Sequence, residues 1–160
     1  MTDIIRSATP LDASAILGLM LELAEYEKLT HLFVATEDSL SEALFGARPA
    51  VEALVAERDG RIVGYALYFH NFSTFLSRRG LYLEDLYVQP ALRGGGLGKA
   101  LLRRVAAIAV ERRCGRFEWS VLDWNQSAID FYTKMGATVL PDWRIVRVTD
   151  DALSRLAGAA

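Results

Sequence analysis

Cysteine is nearly absent: the chain has one, Cys114, near the end of a helical stretch. A lone thiol closes no internal disulfide and builds no cysteine-based zinc site, and Cys114 is read as packing. Histidine is equally scarce. His31 and His70 stand far apart in sequence, are read as loop or helix-end residues, and no metal is expected. No apolar run approaches the roughly 20 residues that cross a bilayer, so no membrane partner is expected. The opening "MTDIIRSATP" lacks the basic-then-apolar build of a secretory leader, and with the lone cysteine this predicts a cytoplasmic location. Strong charge is missing too: the net of −2 argues against nucleic acid as the main partner.

What is there begins with uneven charge. Residues 1–60 hold 11 Asp/Glu against 4 Lys/Arg, whereas residues 93–116 hold 7 Lys/Arg and a single acid, Glu111. The first region suits a cation and the second a polyanion, beside the ordinary reading of solvated surface charge. At 160 residues, 52% apolar and 24% charged, the chain has the length of a single domain, residues 1–160, with no linker or repeat.

The pattern predicts a strand in "DIIRSA" and a helix from Pro10 through "LDASAILGLMLELAEYEKL", with Ile16, Leu19, Met20 and Leu23 on one face. A second helix, "TEDSLSEALFG", has Thr36 or Asp38 as cap and ends at Gly46. Asp59-Gly60 joins two apolar runs into a hairpin. "HNFSTFLSRRG" is read as a loop, "LYLEDLYV" as a strand, and the helix after Gly96 faces the core through Leu97, Leu101, Val105 and Ile108. "RFEWSVL" is a strand, Asn125 caps "QSAIDFYTKMG", "ATVLP" and "WRIVRVT" are the last strands, and "DALSRLAG" is a terminal helix. The order β-α-α-β-β-β-α-β-α-β-β predicts an α/β fold with one mixed sheet flanked by helices.

"RGGGLGKALL" places four glycines, Gly94, Gly95, Gly96 and Gly98, directly before a helix. Backbone N–H groups at a helix N-terminus hold phosphate where side chains would obstruct it. A nucleotide P-loop fails, because Gly98-Lys99 is followed by Ala100 and Arg93 stands where the first glycine belongs. A dinucleotide fingerprint fails because Lys99 occupies the third glycine position. The pattern R/Q-x-x-G-x-G/A fits Arg93 through Gly98, and a glycine-rich turn with a cap is the plain alternative.

With "LYLEDLYVQPALRGGGLGKALL", "VLDWNQSAIDFYTKMGA" and "LAEYEKL", the chain resembles the diamine (spermidine/spermine) and thialysine branch of the GNAT N-acetyltransferase superfamily. The resemblance implies direct transfer of acetyl from acetyl-CoA to a primary amine of a small molecule, in one ternary complex without metal, by a homodimer. It implies pyrophosphate binding by Arg93, Gly94, Gly95, Gly96, Leu97, Gly98 and Lys99. A backbone N–H where the strand bulges from its neighbour would polarise the carbonyl, which implicates Leu86, Tyr87 and Val88, the last two also along the pantetheine arm. Asn125, Gln126, Ser127 and Ala128 would touch the cofactor from the other side. Two alternative classes are a CoA-binding module without turnover and an acetyltransferase acting on protein amino groups.

An alkyl ammonium must lose a proton before it attacks, and the departing thiolate must gain one. Glu84, a carboxylate in an apolar strand, is read as the acceptor, directly or through water, and a structural hydrogen bond is the alternative. Alternation sends Asp85 to the opposite face unless the strand bulges, and Asp85 is read as structural. Tyr132 in "DFY" is a core aromatic by pattern alone. The resemblance makes it the general acid beside the CoA sulfur. The resemblance also points to Tyr26, Glu27, Glu118, Trp119, Ser120 and Asp142 in the acceptor pocket, where a solvated helix end competes for Glu27. Polyamine-acetylating members tend to carry an acid and a Trp where this chain has Ser73-Thr74-Phe75, which tells against long polyamines, and "LAEYEKL" and "VLDWNQ" look closer to the thialysine-acetylating members.

Overall fold

The computed structural model describes residues 2–159. The chain divides into two compact units, Met1–Ser120 and Val121–Ala160. The first contains β1 (Asp3–Ser7), α1 (Ala13–Tyr26), α2 (Glu37–Phe45), β2 (Glu52–Arg58), β3 (Arg61–Ser73), β4 (Arg78–Val88), α3 (Leu97–Glu111) and β5 (Phe117–Trp119). Its sheet runs β1-β2-β3-β4-β5, antiparallel except for the parallel β4–β5 pair.

Both faces of the sheet are covered, which explains the near-continuous apolar runs of β2 and β3. Ile16 and Leu19 of α1 and Leu40 and Leu44 of α2 pack on one face against Val55, Tyr65, Leu67 and Tyr87. On the other face lies α3, whose Leu97, Leu101, Val105 and Ile108 are all buried, as their spacing predicts. Asp59 and Gly60 both take positive φ (50° and 80°), the geometry that lets a two-residue turn follow strand twist. Thr36 caps α2, accepting a 3.1 Å bond from the Ser39 N–H.

The Pro10 segment begins as a short 3₁₀ turn, Pro10–Asp12, held by a polar knot. Buried Asp12 accepts from both guanidinium N–H₂ groups of Arg6 (2.7 and 3.0 Å) and from the Thr9 N–H (2.7 Å). The Arg6 bond holds the Asp12 carboxyl below its ordinary value, against the effect of burial. Asp12→Ala should therefore cost about 2–3 kcal/mol at neutral pH, the scale of a lost charge-assisted bond that leaves a partner unpaired. A group with a depressed folded pKa stabilises above its unfolded value and loses that contribution as pH falls through the folded one. Urea melts at pH 7 and below pH 3 should show the difference shrinking.

Three sequence expectations need correction. The stretch read as a loop, residues 70–80, is mostly strand: β3 runs to Ser73, β4 starts at Arg78, and only residues 74–77 turn. His70 accordingly lies in β3, its Nε2 3.4 Å from Arg112 Nη1. In the second unit, α4 (Gln126–Lys134) and α5 (Asp150–Leu156) form, but residues 137–141 and 143–149 take no regular structure. The described residues of that unit contain no strand against which either could pair, and an unpaired strand does not persist.

Candidate active site

β4 carries the central feature. Against β3, Leu67 pairs with Asp85 and Tyr68 with Leu83, so Glu84 opposes no residue of its own. This is a bulge. Leu83 pairs with Tyr68 and Leu86 with Ala66, two β3 residues on one face, so Glu84 and Asp85 between them both turn to the other face. That is the face of α1 and Tyr65. The strand bulges, so the alternation that would part Asp85 from Glu84 does not apply here. Glu84 is exposed, and Asp85 is half-buried.

β5 follows β4 only from Leu81 to Leu83, so residues 84–88 have no strand partner on that edge among the described residues. A strand edge left open in this way offers backbone N–H groups to a ligand. Beyond Pro90–Leu92, a 3₁₀ turn, comes the glycine loop. Gly94 and Gly96 hold φ of 83° and 89°, and a methyl group on either would meet no atom within 4 Å. The first intrahelical bond of α3 runs from the Ala100 N–H to the Gly96 carbonyl (2.9 Å). The N–H groups of Leu97, Gly98 and Lys99 therefore point out of the helix end. N–H groups left unpaired at a helix N-terminus suit an anion such as a phosphate.

Gly96 and Gly60 supply a matched test, since both take positive φ in open space. Alanine at either should cost about 1–2 kcal/mol of stability through backbone strain alone. If the loop holds a diphosphate, only Gly96→Ala should weaken that binding, by tenfold or more. Equal affinity of the two folded variants for a diphosphate ligand, measured by calorimetry, would remove the loop from phosphate binding.

Arg93 turns back from the loop. Its Nε donates to the Val88 carbonyl (3.0 Å), and its guanidinium lies over the rings of Tyr26 (5.1 Å) and Tyr87 (5.4 Å). The loop is thereby fastened to the end of α1, where Tyr26 and Glu27 were expected in the acceptor pocket. Burial, and then the charge of Asp85, raise the Glu27 carboxyl above its ordinary value. Burial raises Asp85 as well, opposed by a hydrogen bond from Tyr65 and reinforced by the Glu84 charge. The Tyr87 phenol is pushed up by burial and by Glu22.

The predicted trio on β5 is divided. Leu83 pairs with Trp119 and Tyr82 with Glu118, so Trp119 shares the α3 face with Leu83 while Glu118 shares the Glu84 face with Tyr82. Ser120 joins that second group, its hydroxyl 2.7 Å from the Tyr82 hydroxyl. Tyr65, whose hydroxyl bonds Asp85, is a polar residue that sequence reasoning passed over, while Asp85 was read as structural. The signal available was two adjacent acids in an otherwise apolar strand.

In the second unit, Asn125 caps α4 by accepting from the Ala128 N–H at 3.4 Å, and Gln126 bonds Asp130 (2.8 Å). Ser127 donates to Asn125 Oδ1 at 3.3 Å. Half-buried Tyr132 lies one position from Phe131, ring centroids 5.5 Å apart. Asp142 is exposed in the irregular segment.

Comparison with known proteins agrees with this architecture. The sequence model of the acetyltransferase (GNAT) family matches residues 20–137, across both units. L-ornithine N5-acetyltransferase of Arabidopsis thaliana is 36% identical, over 95% of this chain and 86% of that protein. Thialysine N-epsilon-acetyltransferase of Sus scrofa is 39% identical, over 97% of each. Among solved structures, an integron cassette protein from the mobile metagenome of V. cholerae superposes with a TM-score of 0.83 at 26% identity, covering 99% of both chains. The bulged, splayed β4 and the glycine loop ahead of α3 thus sit in a chain that belongs to the GNAT acetyltransferase family and is an acetyltransferase.

Proposed function

We propose that this acetyltransferase uses acetyl-CoA to acetylate a primary amine of a small molecule carrying a second charge, of the thialysine, ornithine or diamine kind. The observation that carries the reading is the β4 bulge, which turns Glu84 to the face bearing Tyr82, Asp85 and Glu118 just before the open edge and the glycine cradle. The relatives named for ornithine and thialysine support the substrate class. Acetyl-CoA supplies the acetyl group as an activated thioester.

The residues divide the work. N–H groups of Leu97, Gly98 and Lys99 hold the diphosphate, with Gly94 to Gly96 keeping its approach open. A backbone N–H of β4 near Leu86 steadies the thioester oxygen. Glu84 Oε accepts the ammonium proton, directly or through water, freeing the nitrogen lone pair. The Tyr132 hydroxyl gives its proton to the departing sulfur. Tyr26, Glu27, Glu118 and Ser120 receive the rest of the amine. Ser73-Thr74-Phe75 lacks the acid and Trp of the polyamine-acetylating members resembled, which favours compact acceptors. The reading also carries a single catalytic domain, a cytoplasmic enzyme and a homodimer, the last open to sedimentation.

Thiol release from acetyl-CoA, screened against thialysine, ornithine, putrescine, spermidine, lysine and a peptide, tests the proposal. Compact diamino acceptors should turn over fastest. Release with the peptide alone would assign the enzyme to protein amino groups, and CoA binding without any release would make it a binding module.

A further inference from the structure

Asp85 is a titratable group that the proton transfers above leave unused. Its Oδ2 accepts a 2.8 Å bond from the hydroxyl of Tyr65. Tyr65 has no exposed surface, so that hydroxyl is removed from water and needs a partner. A neutral acceptor would satisfy it at lower cost, because burying a charge is expensive. The bulge then turns this carboxylate to the face of Glu84, and Glu27 at the end of α1 lies within reach of its charge.

We propose that Asp85 is a positioning residue for amine acetylation: pinned from behind by Tyr65, it holds the bulge and acts through its neighbours Glu84 and Glu27. The inference rests on the acetyl-transfer reading above. The groups that act on Asp85 include Tyr65 on β3, through its hydrogen bond, and Glu84 on β4 and Glu27 after α1, through their charge, with the Tyr87 phenol acting on Tyr65. Burial and carboxylate neighbours raise both Asp85 and Glu27, so as pH falls these two take up a proton earlier than free carboxylates would. Uptake at Asp85 or Glu27 weakens the arrangement that the amine meets, which gives kcat/KM an acid limb.

Two substitutions at one hydrogen bond should then move that limb in opposite directions. Asp85→Asn still accepts from Tyr65 but removes the charge that raises Glu27, so the limb should move to lower pH. Tyr65→Phe removes the bond that favours ionised Asp85, so the limb should move to higher pH. Each shift should be about one pH unit, the common size of a single neighbour's effect.

The experiment is the pH dependence of kcat/KM for thialysine in wild type and both variants, with melting temperatures alongside. Opposed shifts support the proposal. Superimposed profiles, or shifts in one direction, overturn it even where stability falls, because a merely structural Asp85 changes melting and not the limb. Carboxyl carbon-13 NMR of the wild type needs neither substitution nor turnover. The Asp85 resonance should titrate above the ordinary aspartate range, and an ordinary titration overturns the inference. A wild type that turns over no amine contradicts the proposed function itself and takes this inference with it.

Discussion

Glu84→Gln should lower kcat/KM for the amine by about 10²–10⁴-fold at neutral pH, the range of a lost general base. Glutamine is nearly isosteric, keeps hydrogen-bonding capacity at the bulge and accepts no proton near neutrality. Glu84 is exposed at the bulge, so the fold should not depend on its charge and the melting temperature should barely move. CoA affinity should be unchanged, since the phosphate cradle lies after β4 on the helix end. The deficit should shrink above pH 9, where more of the amine arrives already deprotonated. Should Glu84 also attract the ammonium electrostatically, KM rises with the loss of kcat and the alkaline rescue is incomplete. Parallel pH profiles with equal rates in the two enzymes would remove Glu84 from the reaction.

Tyr132→Phe should lower turnover by roughly 10²-fold while leaving acetyl-CoA affinity within a few-fold, the lower end for a lost general acid. The substitution keeps the ring that lies 5.5 Å from Phe131 and removes the hydroxyl alone. A phenolic O–H can protonate a thiolate leaving group, which is why its loss should fall on the chemical step. A thiol-reactive chromophore reads the release rate directly. Unchanged turnover would return Tyr132 to the role its sequence pattern alone assigns, an aromatic that packs.

Legibility followed how local the physics is. The Asp59-Gly60 turn, the Thr36 cap and the glycine run could be read because each depends on the backbone freedom or hydrogen bonding of a few adjacent residues. The α3 stripe was equally plain, since period and burial coincide at Leu97, Leu101, Val105 and Ile108. Residues 137–141 and 143–149 were read as strands from their apolar pattern. A strand, however, exists only with a partner, and pairing is a long-range property that composition does not encode. Residues 70–80 went wrong for the opposite reason: polar and aromatic residues masked two strands that extend each other past the expected loop. At the site, two adjacent acids were visible, but alternation separates them. Only the register against Leu67 and Tyr68 puts Glu84 and Asp85 on one face. Likewise the Tyr65–Asp85 bond joins residues 20 positions apart on neighbouring strands, and no local signal announces it.

The central claim is direct acetyl transfer from acetyl-CoA to a compact amine within one complex. The measurement that meets it head-on is initial velocity with acetyl-CoA and thialysine varied together. Intersecting reciprocal plots, with N-acetylated thialysine and free CoA formed in equal amounts, are the expected result. Parallel plots would mean an acetylated enzyme intermediate, and free CoA without acetylated amine would mean hydrolysis. Either would contradict the account.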